Sequence, residues 1–221
     1  MRRLPTILML ATLALGLPLL ATAHDGDIDK VNGSVRVEAG QQAGDVSTVN
    51  GAVHIEDGAS VHKASTVNGA VALGDKAQAS ELGTVNGGIT LGSNSKVSGE
   101  VSAVNGSIQL GNGAEVDGKL DNVNGAIVLD HAHVAGGIGT VDGDITIGAD
   151  SRVEGGILVE KPSNSWFHWG TERTPIIIIG PHAVVQGTLE FRRDVVLKVS
   201  DTAQIGPVKG ATVVKFSGAN P

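Results

Sequence analysis

The tripeptide Val-Asn-Gly recurs along this chain with a period that leaves few folds open. It stands at Val31-Asn32-Gly33, Val49-Asn50-Gly51, Val67-Asn68-Gly69, Val85-Asn86-Gly87, Val104-Asn105-Gly106 and Val123-Asn124-Gly125. A seventh copy, Val141-Asp142-Gly143, carries Asp for Asn, and the steps between copies are 18, 18, 18, 19, 19 and 18 residues. A short fixed period is the mark of a solenoid, in which each repeat is one coil stacked on the last. Within each period apolar or small residues pair at i and i+2, as in Val35/Val37, Val53/Ile55 and Val71/Leu73, which is strand alternation. The expected fold is an all-β, single-stranded parallel β-helix with three-sided coils of 18–19 residues, and its hand is left open. Helix is excluded by the density of Gly and β-branched residues.

Composition agrees with a thin, repetitive core. The 221 residues include 32 Gly, no Cys, no Tyr and five aromatics. A net charge of −7 argues against nucleic acid as a partner. A coil with five or six inner aliphatics gains about 10–15 kcal/mol by burial. Ordering its backbone costs about 1–2 kcal/mol per residue, which is more. No coil folds alone, so stability is expected to be a nearest-neighbour property.

Residues 1–23 read as a signal peptide: Arg2-Arg3, an apolar stretch from Leu4 to Leu20, and the small-residue cleavage site Ala21-Thr22-Ala23. Cleavage would leave no transmembrane segment, so the expected location is periplasmic or extracellular. Regular coils are expected over 24–159, an aromatic loop insertion over 160–174, and irregular terminal coils and a cap over 175–221.

Within each coil the Val of the motif and the residue two before it (Ser47, Ser65) are expected to face inward. Asn and Gly are expected to turn the chain through left-handed backbone conformations. Asn32, Asn50, Asn68, Asn86, Asn105 and Asn124, one coil apart, are expected to hydrogen-bond as a structural ladder. The row Thr48, Thr66, Thr84 and Thr140 beside the motif is read as β-propensity at a corner.

Sites of chemistry are harder to find. A zinc site needs three or four convergent ligands. Aligned by coil, the histidines offer at most a pair, and the coils next to His131 and His133 are expected to place no His in their columns. The acidic residues are scattered over outer positions. No catalytic residue, cofactor or metal ligand is assigned. Trp166, Phe167 and Trp169 gather three of the five aromatics in one non-repetitive stretch, read either as a loop folded back over a coil edge or as a contact site, since exposed aromatics on a polar solenoid mark one.

The Thr-Val-Asn-Gly-x-Ile run resembles the repeats of bacterial adhesin proteins. The element Val-x-Gly-x-Val/Leu/Ile, as in Val97-Ser98-Gly99-Glu100-Val101 and Val116-Asp117-Gly118-Lys119-Leu120, resembles bactofilins, which are polymer-forming β-helical scaffolds. The hexads Ile147 to Ser151 and Ile179 to Ala183 are similar to those of hexapeptide acyltransferases and their carbonic-anhydrase relatives. The resemblances imply a non-enzymatic scaffold or adhesin-like protein, and the signal peptide, which bactofilins lack, makes the expectation an exported one of the cell envelope. Its implied partner is an envelope component or glycan, or a second copy of the chain. The alternative is a trimeric hexapeptide-repeat enzyme with a site between subunits.

Overall fold

The computed structural model describes residues 26–162 and 173–218. Among them there is no helix, and the strands are parallel and stack into a β-solenoid of about ten turns. Each turn has three sides. Side 1 is a ten-stranded sheet running from Val35–Val37 through Val53–Ile55, Val71–Leu73, Ile89–Leu91, Ile108–Leu110, Ile127–Leu129, Ile145–Ile147, Ile176–Ile179 and Val196–Ser200 to Val213–Phe216. Sides 2 and 3 belong to one sixteen-stranded sheet. In three early coils they form single nine-residue strands, Gln42–Asn50, Ser60–Asn68 and Gln78–Asn86. From Lys96 onward they separate into a short side-2 strand and a side-3 strand, for example Lys96–Val97 and Val101–Asn105.

One added residue causes that separation. Ala79 pairs with Val97 at an offset of 18, whereas Leu82 pairs with Val101 at 19. The extra residue falls in the bend Ser98-Gly99-Glu100, where it interrupts the ladder without disturbing the strands on either side. The coil from Ile145 to Ile177 is longer, with the two paired at an offset of 32, and side 1 continues in register.

The core is a column of small and branched side chains. One coil contributes Ile108, Leu110, Ala114, Val116, Leu120 and Asn122, all buried. On sides 1 and 2 the inward residues are those that alternation predicts. Side 3 is shifted by one residue. Its buried pairs are Val46/Thr48, Ala64/Thr66, Leu82/Thr84, Val101/Ala103 and Leu120/Asn122. Val31 is 63% exposed, and Val49, Val67, Val85, Val104 and Val123 are only half-buried, so the Val of the motif and Ser47 and Ser65 do not fill the core. The cause lies between sides 2 and 3. After the buried Val61, two successive residues, His62 and Lys63, stay off the core, and alternation resumes one position later at Ala64.

The threonines therefore point inside, where a hydroxyl must find a partner. Thr48, Thr66 and Thr84 donate to the carbonyls of Gly33, Gly51 and Gly69 at 3.0, 2.8 and 2.9 Å, each in the coil before. Further along, Asn122 donates to Gly125 O at 2.8 Å and accepts from Thr140 Oγ1 at 2.6 Å. The row is a set of internal clasps rather than a by-product of β-propensity.

The motif glycines divide into two kinds: Gly33 and Gly125 have the expected positive φ, at +98° and +125°, whereas Gly51, Gly69, Gly87 and Gly106 do not, and none of the motif Asn residues does. Instead, a Cβ on any of these four would sit closer than 3.0 Å to the carbonyl oxygen of the motif glycine below it. They are glycines because adjacent backbones touch at this corner. A second such column, including Gly118, Gly136 and Gly155, lines the bend between sides 2 and 3.

Left-handed backbone occurs at the third corner, between sides 1 and 2. Gly40, Gly58, Lys76, Asn94, Gly113, His131, Asp150 and His182 follow one another there, with φ between +48° and +70°. A non-glycine L-residue in this region pays roughly 1–2 kcal/mol, a cost that Asn, Asp and His bear more often than others.

Candidate functional site

The six motif asparagines stand in one exposed row. Nδ2 of Asn50, Asn68, Asn86, Asn105 and Asn124 donates to Oδ1 of the Asn one coil earlier at 3.0, 3.0, 2.9, 3.0 and 3.1 Å. Asn50, Asn68, Asn86 and Asn105 thus each donate on one side and accept on the other, while Asn32 only accepts and Asn124 only donates. Asp142 takes the next place but cannot donate to Asn124. Its carboxylate accepts from the guanidinium of Arg193, which also donates to Val141 O and Arg173 O at 2.9 Å each. Arg173 in turn pairs with Asp144, whose other oxygen accepts from Ile176 N at 2.9 Å.

Trp166, Phe167 and Trp169 lie outside the described residues, so their proposed contact role has no structural counterpart here.

On the outward face of sides 2 and 3, later coils lose their side chains. Gly136, Gly137, Gly139, Gly155 and Gly156 floor a trough of about 440 Å³, with Lys119 and Asp121 at one end and Glu190 at the other. The Asp121 carboxylate leans over Gly139, in the space a Cβ would need. Burial raises its pKa, against a smaller opposing pull from Lys119. Glu100, one coil earlier, is also raised, first by burial and then by the charges of Asp121 and Glu81. Glu190 is lowered, chiefly by the hydrogen bond from Arg192 at 2.7 Å.

Two magnitudes decide what this trough can do. Asp121, Gly139, Leu158 and Glu190 are register partners on successive coils, so Asp121 and Glu190 lie three strand spacings apart, about 14 Å. Paired-carboxylate hydrolysis works at roughly 5–9.5 Å. Asp121 and Glu100 are closer, but their pKa values are displaced in the same direction, whereas acid and base roles require an environment that separates them. The glycines leave peptide backbone exposed along the floor of the trough.

The histidines fall into three settings. His54 shares its column with Arg36 and Ala72. His62 meets Asp45 at 2.6 Å, and His133 meets Glu154 at 3.3 Å. His131 stands apart: the coils on either side carry no His in its column, as expected, but a second His lies two coils on. Its neighbours in the left-handed corner are Asp150 on the next coil and His182 on the one after. Two irregularities hid this alignment: the corner at Asp130-His131 is one residue shorter than at Gly111-Asn112-Gly113, and the following coil is 32 residues long. The usable signal was the buried Ala or Ser that follows each corner residue, at Ala132, Ser151 and Ala183. As they stand, no three His, Asp or Glu side chains among the described residues converge on a position that could hold a metal ion.

Fold and surface together define a parallel β-solenoid repeat protein. Comparison of the chain with protein-family models, with curated proteins and with solved structures finds no match.

Proposed function

We propose that this chain is an exported, non-enzymatic scaffold of the bacterial cell envelope, an adhesin-like or polymer-forming rod. The observation that supports this most is the unbroken register of side 1 through ten strands, each of its coils bonded along its length to the next. About ten coils at roughly 4.8 Å make a rod near 45–50 Å long. Its surface carries the asparagine ladder, the glycine trough and a second hollow lined by Leu197, Gly210 and Val214. Among the described residues, the strands Val35–Val37 and Val213–Phe216 each have a partner on one side only. Such edges are templates for pairing with another chain. The trough offers an envelope polymer a place to lie.

The test uses the chain from His24 onward. Light scattering and electron microscopy over a concentration series should show end-joined rods, and the protein should co-sediment with isolated envelopes. Monomers at every concentration, together with no retention on envelopes, would overturn the proposal.

A further inference from the structure

The left-handed corner changes character along the rod. In earlier coils its residues are Gly40, Gly58, Lys76, Asn94 and Gly113. In the next three they are His131, Asp150 and His182, at φ +48°, +54° and +57°. Glycine would occupy each place without strain, and strained backbone that persists at chemically able side chains points to use.

Register aligns the three. His133 pairs with Arg152 and Arg152 with Val184, which sets His131 beside Asp150 and Asp150 beside His182. Nε2 of His131 lies 3.8 Å from Oδ2 of Asp150, and Nδ1 of His182 lies 3.7 Å from Oδ1 of the same carboxylate. A separate contact fixes the first ring. Nδ1 of His131 is 2.6 Å from Oδ1 of Asp130. When Nδ1 donates its proton there, Nε2 keeps its lone pair and faces Asp150. A carboxylate behind a histidine in this way is the arrangement that orients metal-ligating imidazoles.

We propose that His131, Asp150 and His182 bind one first-row transition-metal cation of the zinc type, with Asp130 orienting His131. Two imidazoles and a carboxylate are a donor set that such ions accept, and three protein ligands leave a further position for water or a partner's group. Bonds of about 2.0–2.2 Å put neighbouring donors on a tetrahedral ion roughly 3.3 Å apart. The two His–Asp separations exceed that by about half an ångström, and the imidazoles stand two coils apart on either side of Asp150, so both rings must swing toward the carboxylate before one ion touches all three. All three side chains are substantially exposed and are free to turn without moving the stack.

The experiment titrates the chain from His24 onward with Co²⁺, followed by its visible absorption, and with Zn²⁺ by calorimetry at pH 7.5. One ion per chain is expected. His131→Gly and His182→Gly should each weaken binding at least tenfold, and Asp130→Asn about 10–100-fold. Both glycine variants relieve left-handed strain, so without metal they should melt no lower than the parent, which separates loss of binding from loss of fold. Zn²⁺ should raise the melting temperature of the parent and not of the glycine variants. His54→Ala and His62→Ala should bind as the parent does. Absence of binding, or binding that survives His131→Gly and His182→Gly, would overturn the proposal.

Discussion

The guanidinium of Arg193, only 8% exposed, closes on the carboxylate of Asp142, which lies 51 residues earlier in the chain. This pair ties the coil beyond residue 173 to the place where the asparagine row ends. Arg193→Ala leaves Asp142 without its cation and two carbonyls without a donor. A loss of about 2–3 kcal/mol is expected by urea unfolding. Arg36→Ala, at the exposed pair with Glu56, should cost under about 1 kcal/mol. Equal losses for the two variants would show that burial does not distinguish them.

Two kinds of glycine should respond differently to the same methyl group. At Gly69 the added Cβ meets the backbone of Gly51, so Gly69→Ala must force two coils apart. At Gly58 there is open space and a φ of +67°, so Gly58→Ala pays only left-handed strain, roughly 1–2 kcal/mol. Gly58→Asn should cost less than Gly58→Ala, and Gly69→Asn should be at least as harmful as Gly69→Ala, with a loss above about 3 kcal/mol. Thermal melts of the four variants make the comparison.

Within the asparagine row, Asn68→Ala removes one donor and one acceptor at an exposed position, for about 1 kcal/mol. Asn68→Asp keeps the acceptor but turns a carboxylate toward Asn50 Oδ1. At pH 7 it should be the less stable of the two. The folded state raises the pKa of this new carboxyl, so the variant should recover as pH falls through that folded value, when the acid can donate. A stability difference that does not change with pH would rule out this account.

Asp121 and Glu100 should make the rod more stable in mild acid than their exposed counterparts would. Both carboxyls are raised, led by burial, so the folded chain holds more protons than the unfolded chain. Their contribution is complete below the unfolded carboxyl range of about 3.9–4.3 and is lost as pH rises through the folded values. Asp121→Asn should therefore raise the urea midpoint at pH 7, with an increment that shrinks toward pH 4. An increment equal at both values would refute the burial argument. Glu154 and Glu190, both lowered by arginine hydrogen bonds, act in the opposite sense as pH falls.

The period and the strand pairs of sides 1 and 2 were readable from residues alone. They rest on branched side chains at i and i+2, which burial selects directly. Side 3 was misread because its inward residues are Thr and its half-buried ones are Val. Hydropathy favours the wrong set, and only the hydroxyl bonds to Gly33, Gly51 and Gly69 make the burial of Thr48, Thr66 and Thr84 intelligible. Gly51, Gly69, Gly87 and Gly106 were assigned to turning, as Gly33 and Gly125 do turn, because sequence carries no information on how closely two backbones pass. The His131–Asp150–His182 column was lost to one deletion and one long coil, each of which breaks a count made by fixed period.

The 32-residue step from Ile145 to Ile177 returns the strand to its place with Ile147 still opposite Ile179. A solenoid corner is thus a docking port in the engineering sense. Length is spliced in there while the coils on either side keep their addresses. A segment grafted between Pro162 and Arg173 would be displayed at a fixed height on a rod whose assembly it does not control.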